Sequence, residues 1–359
     1  MALLHIERAT SGIAGWQQAH DWLTLATREE LTIGANAGLY HGAPALAFAL
    51  HPARHPGYRP AHEALDEAVA AIVRDRLAAA SQRLGRGERP ALAEFDLISG
   101  LCGLGAHLWR RDPGGDLVKG VLAYLVRLTE PVDGLPGWWT MSSAKRTTQA
   151  PPGGHSNHGM AHGITGPLTL LALTASAGLV VPGQTEAIGR ICAWLDDWQQ
   201  DHFGAPWWPE TITLAEHQQG RTTQPEPRRP SWCYGTPGIA RAQQLAADAT
   251  DNPARRGIAE KAMAECLTDQ HLQKITEPGL CHGMAGVYQT AYRASLDAAN
   301  PAIGQRLPAL AAALTQHAAT RQDDAEGLLT GAAGVGLALE TARHNTPPRS
   351  GWDACLLIT

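Results

Sequence analysis

The 359-residue sequence has no long apolar run, no excess of basic residues and few cysteines. No segment reaches the ~18 apolar residues of a membrane-spanning helix. The N-terminus, MALLHIERATSG, has no basic start followed by an apolar stretch, so we expect no signal peptide and a cytoplasmic protein. The 29 Lys and Arg residues against 34 Asp and Glu give a net charge of −5, without the basic surface typical of nucleic-acid binding.

Six cysteines in a chain of this length do not indicate a disulfide framework, so we expect free thiols or metal ligands. The chain also lacks an alternating Val, Ile or Thr run long enough for a substantial sheet. Stretches such as 61–84 and 255–273 instead repeat their apolar residues at three- and four-residue spacing. The sequence therefore predicts an all-α protein.

An internal repeat is present: a turn of small residues followed by an apolar helix occurs six times. Each interval between turns has room for two helices and their loops. Glycine at the turn lets the backbone bend sharply and lets neighbouring helices approach closely. The repeat predicts helical hairpins in a closed ring, with all six turns at one end. The leading glycines are Gly42, Gly100, Gly163, Gly235, Gly283 and Gly331.

Two stretches interrupt the helical pattern, about 112–157 and 203–231. Both contain Pro and Gly together with tryptophan pairs. Long loops inside a compact domain usually serve a function, and paired tryptophans argue against full disorder. We expect both stretches to be loops that fold over the mouth of the ring.

Two of the turns carry a cysteine two residues before the leading glycine, Cys233 in SWCYG and Cys281 in LCHG. In a ring of superposed repeats they come from neighbouring turns, and His282 follows Cys281 directly. Two thiolates and one imidazole are an accepted zinc ligand set that leaves a fourth position open. A thiol entering that position would lose its proton. The alternative is two buried cysteines and a surface histidine, but their identical register favours the metal.

Two other groups of residues are rival ligands. Cys102 lies two residues after its glycine instead of two before, which indicates a core position. His158 and His162 have the i, i+4 spacing of a helical metal pair. Gly159 and the preceding Pro-Gly run favour a loop there, so the two side chains need not share a face.

The ordered AHG, WCYG and CHG turns of the six-fold repeat, together with the GWD ending, resemble the lanthionine synthetase C family from about residue 34 onward. This resemblance implies an α,α-toroid of seven inner and seven outer helices, a single domain over 1–359. Six turns are visible, so we expect a seventh, degenerate copy in the Pro- and Gly-rich region.

The resemblance also implies roles for individual residues, each with a simpler alternative. His162 matches a general acid or base, or is a packed histidine. Asp96 matches the residue that assists it, or is only a helix N-cap. Arg229 matches the active-site arginine, although Arg228 is adjacent and either can be a surface charge. Tyr234 matches the tyrosine after the ligand cysteine, or packs behind the metal. The implied zinc ligands are Cys233, Cys281 and His282.

The implied activity is zinc-dependent addition of a peptide cysteine thiol to dehydroalanine or dehydrobutyrine, which forms (methyl)lanthionine rings. The implied partners are a dehydrated precursor peptide, a separate dehydratase and an exporter. Three alternatives stay open: an enzyme that adds glutathione to dehydrated proteins, a non-catalytic zinc scaffold that binds a peptide or dehydratase, and an unrelated toroid. A glycosidase would need paired carboxylates, and none can be identified in the sequence.

Overall fold

Helices form most of the structure, a computed structural model that describes residues 1–53, 55–143, 149–320 and 325–359. The all-α prediction is confirmed. In chain order the helices are α1 (Ala2–Thr10), α2 (Gln17–Ala26), α3 (Ala43–Leu50), α4 (Arg59–Gly85), α5 (Leu92–Phe95), α6 (Leu101–Arg111), α7 (Asp116–Leu128), α8 (Thr165–Ser176), α9 (Gln184–Asp197), α10 (Leu214–Gln219), α11 (Thr236–Ala249), α12 (Pro253–Cys266), α13 (Asp269–Leu272), α14 (Met284–Asp297), α15 (Ala302–Ala319) and α16 (Ala332–His344). The strands are β1 (His155–Asn157), β2 (Gln200–His202), β3 (Ala205–Trp207) and β4 (Thr211–Thr213).

In the described residues, seven of these helices pack into an inner ring. Each contacts the next in the order α1, α3, α6, α8, α11, α14 and α16, and α16 contacts α1. Helices α2, α4, α7, α9, α12 and α15 lie outside, each against the inner helix that precedes it in the chain. The arrangement is the α,α-toroid that the sequence predicts, with the seven inner helices that the resemblance implies and, among the described residues, six outer helices instead of seven.

The seventh inner helix is α1, so the expectation of a degenerate copy in the Pro- and Gly-rich region is wrong. The sequence of α1, ALLHIERAT, contains no glycine and so does not show the motif by which the other inner helices were recognised. It closes the ring through a close approach: a Cβ placed on Gly336 of α16 would lie 2.9 Å from the Leu4 side chain. The glycine thus makes room for the leucine.

Burial follows the position of each helix in the two rings. Outer helix α7 buries Val118, Val121, Leu122 and Leu125, the i, i+3, i+4, i+7 stripe of a helix with one solvent face. Inner helix α8 is buried from Thr165 to Thr174 on every side, because inner and outer helices surround it. In the described part of the chain we find no helix whose length and apolarity would let it cross a membrane.

The two stretches predicted as loops contain regular elements and contact each other. Helix α7 lies inside 112–157, where a loop was expected; its amphipathic pattern was overlooked beside the Pro- and Gly-rich sequence that follows it. Strand β1, at the end of this stretch, pairs antiparallel with β4 of 203–231, with His155 opposite Thr213. Residues 144–148 of the predicted loop lie outside the described residues.

The C-terminal segment is buried among elements of several repeats. The Tyr40 hydroxyl donates to the Cys355 carbonyl at 2.7 Å, the Trp232 indole to the Leu356 carbonyl at 2.9 Å, and the Arg241 guanidinium to the Ile358 carbonyl at 2.9 Å. Donors from the first turn, the fourth turn and α11 converge on one short peptide. The segment therefore lies inside the ring and ties distant repeats together.

Candidate active site

Backbone hydrogen bonds join neighbouring turns at one end of the ring. The N–H of Ala161 donates to the carbonyl of Cys233 at 3.2 Å, and the N–H of Cys233 donates to the carbonyl of Cys281 at 3.1 Å. The N–H of Cys281 continues the series to Leu329 at 2.8 Å. All four residues lie two positions before their leading glycine. Equivalent positions of successive repeats are thus held side by side along the rim.

The glycines of the turn are required by close backbone contacts. A Cβ on Gly235 would overlap the backbone nitrogen of Ser231, and one on Gly238 would overlap the carbonyl of Trp232. No larger residue fits either place without moving the turn. The leading glycine of four other turns would meet the same overlap with the backbone nitrogen four residues earlier: Gly100, Gly163, Gly283 and Gly331.

Cys233, Cys281 and His282 form a cluster on two of these adjacent turns. Their ligand atoms all lie within 4.8 Å of one another, with Cys233 buried and the other two half-buried. Two thiolates of a tetrahedral zinc site are ~3.8 Å apart, given Zn–S bonds of about 2.3 Å. The donor set and its spacing therefore fit zinc. Among the described residues this is the one such group of three or more His, Cys, Asp or Glu side chains.

The cluster also favours loss of a thiol proton. Hydrogen bonding with the Cys281 thiol lowers the pKa of Cys233, and its contact with His282 acts in the same direction. The same contact with Cys233 raises the pKa of Cys281, so the two sulfurs act as a thiolate–thiol pair. Hydrogen bonding with Cys233 raises the pKa of His282 as well. A negative sulfur is thus stabilised where a cation would bind.

Glu277 adjoins this cluster, and the sequence analysis missed it. Its carboxylate oxygens lie 2.6 Å from Nε2 of His282 and 3.6 Å from a guanidinium nitrogen of Arg229. Arg228 points elsewhere, to Glu210 at 3.2 Å. The structure thus places Arg229, and not its neighbour, beside the cluster of Cys233, Cys281 and His282.

His162 lies two turns from His282, in the same register, and contacts Asp96. Its Nδ1 donates to Oδ2 of Asp96 at 2.6 Å. Asp96 is buried, and its Oδ1 accepts the backbone N–H groups of Ser99 and Gly100 at 2.7 and 2.8 Å. Each oxygen thus serves one of the two roles considered for this residue: one caps the turn before α6, and the other orients the histidine.

Tyr234 occupies the equivalent position on the turn between the two histidines. Its ring lies 6.4 Å from that of His162, and its hydroxyl accepts a hydrogen bond from the Asn157 amide at 3.0 Å. Burial raises the pKa of Tyr234, so the phenol stays protonated near neutral pH. Tyr234 therefore offers a fixed neutral hydroxyl at the rim, next in sequence to Cys233 of the cluster.

The rival ligands have structural roles. Cys102 is fully buried, and burial raises its pKa well above that of a free thiol. His158 uses both ring nitrogens: Nδ1 donates to the Pro209 carbonyl at 2.9 Å, and Nε2 accepts from the Trp194 indole at 2.9 Å. Neither residue can serve a metal without losing its present surroundings.

A cavity of about 1070 Å³ lies away from this rim. Its walls include His51, just beyond α3, and Arg110, near the end of α6. Because each of these helices begins at a leading glycine, the cavity lies at the opposite end of the ring. None of the three cluster residues lines it.

Comparison with known proteins agrees with the fold. The nisin biosynthesis protein NisC of Lactococcus lactis subsp. lactis is 23% identical over 259 residues, 70% of this chain and 60% of that protein. The match therefore spans less than two thirds of this relative's length. The solved structure of nisin cyclase superposes with a TM-score of 0.82 at 21% identity, covering 99% of this chain and 89% of the other. The profile of the family described as lanthionine synthetase C-like protein matches residues 1–357, so the chain belongs to the lanthionine synthetase C-like family.

Proposed function

We propose that the protein is a zinc-dependent peptide cyclase that adds cysteine thiols to dehydroalanine or dehydrobutyrine residues of a dehydrated precursor peptide. The observation that carries the proposal is the cluster of Cys233, Cys281 and His282 on the same rim as the His162–Asp96 pair. Zinc held by these three ligands would lower the pKa of an incoming thiol and stabilise its thiolate. Family membership supports the same chemistry.

The reaction is an addition in which no atom is lost. The sulfur forms a bond to the β-carbon of the dehydro residue, the carbon–carbon double bond becomes single, and the α-carbon gains a proton. Negative charge develops on the carbonyl oxygen during the attack. We assign Arg229 as the hydrogen-bond donor to that oxygen, because its salt bridge with Glu277 holds it beside the cluster.

His162 is the residue we assign to the proton transfer. With Nδ1 bonded to Asp96, its Nε2 is the nitrogen available to deliver a proton to the α-carbon. Asp96 acts through His162 by fixing the ring and its tautomer. Tyr234, between the two histidines in register, provides a neutral hydroxyl beside the reacting groups. Together with Arg229, these three residues are the catalytic and positioning groups that we propose for the site.

We further propose that residues 1–359 form one domain, with 203–231 and the non-helical part of 112–157 beside the mouth of the ring. The continuous match of the family profile and the β1–β4 pairing support this arrangement. A separate dehydratase must supply the dehydro residues, and an exporter would remove the product. Such a pathway would place the enzyme in the cytoplasm.

A thiol-alkylation assay tests the proposed reaction. A peptide with one cysteine and one dehydroalanine is incubated with zinc-loaded protein. The reaction is quenched with an alkylating reagent, and the mass of the peptide is measured by mass spectrometry. Cyclisation keeps the mass constant but prevents alkylation. In wild-type protein we expect the fraction of peptide protected from alkylation to grow faster than in buffer alone. Cys192→Ala, which removes an outer-helix thiol, should behave like the wild type, and Cys281→Ala should not exceed the rate in buffer.

Two other outcomes point to the alternatives. If the peptide cyclises no faster with wild-type protein than in buffer alone, the cyclase proposal is wrong. Zinc-dependent binding of the uncyclised peptide would then indicate a scaffold. If added glutathione is joined to the peptide in preference to ring closure, the protein is a glutathione-adding enzyme.

A further inference from the structure

The carboxylate of Glu277 is shared between a ligand histidine and the active-site arginine. One oxygen lies 2.6 Å from Nε2 of His282, and the other lies 3.6 Å from Arg229. An imidazole has two nitrogens, and the one engaged by a carboxylate is unavailable to a metal. Nδ1 is therefore the nitrogen that His282 has left for the cluster.

We propose that Glu277 is a positioning residue. It accepts a hydrogen bond from the Nε2–H group of His282, so that Nδ1 faces the metal, and it holds Arg229 beside the same site. The inference rests on the proposed zinc site. Ligand histidines usually donate their other N–H to a carboxylate or carbonyl, which fixes the tautomer and makes the metal-facing nitrogen more basic.

The backbone of the turn fixes where Glu277 stands. Its carbonyl accepts the N–H of Met284 at 2.9 Å, and the carbonyl of Asn157 accepts the N–H of Ile164 at the same distance. In both turns the acceptor lies six residues before the leading glycine and the donor one residue after it. Glu277 is thus a built part of the repeat and not a surface glutamate that happens to reach the histidine.

The same position in the turn between them is Arg229. Three consecutive repeats therefore place Asn157, Arg229 and Glu277 along the rim. The amide of Asn157 contacts the Tyr234 hydroxyl, and the carboxylate of Glu277 contacts His282. In these two repeats, the side chain six residues before the glycine contacts one that lies just before a leading glycine. At this position Asn157 and Glu277 thus support residues of the row just before the glycines, and the contact with His282 is part of that pattern.

Zinc affinity tests this role without reference to turnover. Wild-type protein, Glu277→Gln and Glu210→Gln are titrated against a chromophoric zinc chelator. Removing such a supporting carboxylate typically weakens metal binding by about 10–100-fold, and we expect that loss for Glu277→Gln. Glu210→Gln is the matched control, because Glu210 pairs with Arg228, whereas the salt bridges of Arg229 and His282 are both with Glu277. Its affinity should stay within about twofold of the wild type.

Nitrogen-15 NMR of the histidine side chains tests the assigned tautomer directly. In zinc-loaded wild type we expect His282 to show a metal-bound Nδ1 and a protonated Nε2. Zinc on Nε2, or unchanged zinc affinity in Glu277→Gln, would overturn the role of Glu277 while leaving the zinc site intact. Wild-type protein that binds no zinc would instead overturn the proposed function itself.

Discussion

Replacing Asp96 by Asn separates the two roles of its carboxylate. The Asn side-chain oxygen can still accept the N–H groups of Ser99 and Gly100, which Asp96 accepts through Oδ1. Its NH₂ group would then face Nδ1 of His162, which now donates to Oδ2 at 2.6 Å. Two donors cannot share that contact, so the histidine must rotate or change tautomer. The turn is retained, and His162 loses either the orientation or the tautomer that Asp96 fixes.

The two roles predict different magnitudes. Loss of a positioned acid–base group lowers the rate about 10²–10⁴-fold, and we expect kcat of Asp96→Asn to fall within that range. The free energy of unfolding should fall by about 1–3 kcal/mol, because two charge-assisted hydrogen bonds become neutral ones. Asp96→Ala should cost more, on the order of 2–6 kcal/mol, because it leaves the N–H groups of Ser99 and Gly100 without this acceptor.

The assay is the cyclisation rate at saturating peptide, with urea unfolding measured on the same zinc-loaded samples. The double variant with His162→Gln provides the internal control, because residues that act as one unit should not lose activity additively. If Asp96→Asn keeps kcat within about threefold of the wild type, Asp96 is only a cap and the reasoning about His162 is refuted.

Three further predictions concern charge, backbone and pH. Arg229→Ala should lower kcat by about 10²–10³-fold as the loss of a charge-stabilising donor, whereas Arg228→Ala should change it little. Gly238→Ala should lower the urea midpoint, because its Cβ would overlap the Trp232 carbonyl, whereas Gly189→Ala in an open position of α9 should raise stability by about 0.5–1 kcal/mol. Burial lowers the pKa of His107 from 6.5 to about 4. As the pH falls below 6.5, His107 becomes protonated in the unfolded chain, whereas in the folded protein it becomes protonated only near pH 4. The free energy of unfolding therefore falls by about 3 kcal/mol between these pH values. For His107→Phe, the free energy of unfolding measured in urea should depend correspondingly less on pH.

Each of these has a contrary result. Equal losses in both arginine variants would mean that the mouth needs positive charge and not one placed guanidinium. Equal stability of the two glycine variants would mean that the turn adapts to a side chain. An unchanged pH dependence in His107→Phe would show that other groups bind the protons on unfolding.

The repeat explains why the proximity of Cys233, Cys281 and His282 could be predicted. Cys233 and Cys281 share a position relative to their glycines, and hydrogen bonds between equivalent turns turn that shared register into proximity. The same register carries Glu277 and Asn157, six residues before their glycines, but a single polar residue in a loop has no distinctive sequence pattern. An alignment of the six turns on their glycines is the signal that would have found them.

Contacts between distant parts of the chain could not be predicted from local sequence patterns. Helix α1 closes the ring without any repeat motif, and its place depends on how Leu4 fits against Gly336. The burial of the C-terminal segment depends on donors such as Trp232 and Arg241, more than 100 residues earlier in the chain. Local periodicity predicts helices and their order, but it cannot show which element completes a closed ring.

The proposed reaction depends on zinc bound at this rim by Cys233, Cys281 and His282. The test is elemental analysis of protein purified without chelators, on the wild type, Cys281→Ala and the control Cys192→Ala. We predict about one zinc per chain in the wild type and the control, as for a single three-ligand site, and its loss in Cys281→Ala. A wild type free of zinc, or a Cys281→Ala variant that keeps it, would contradict the account.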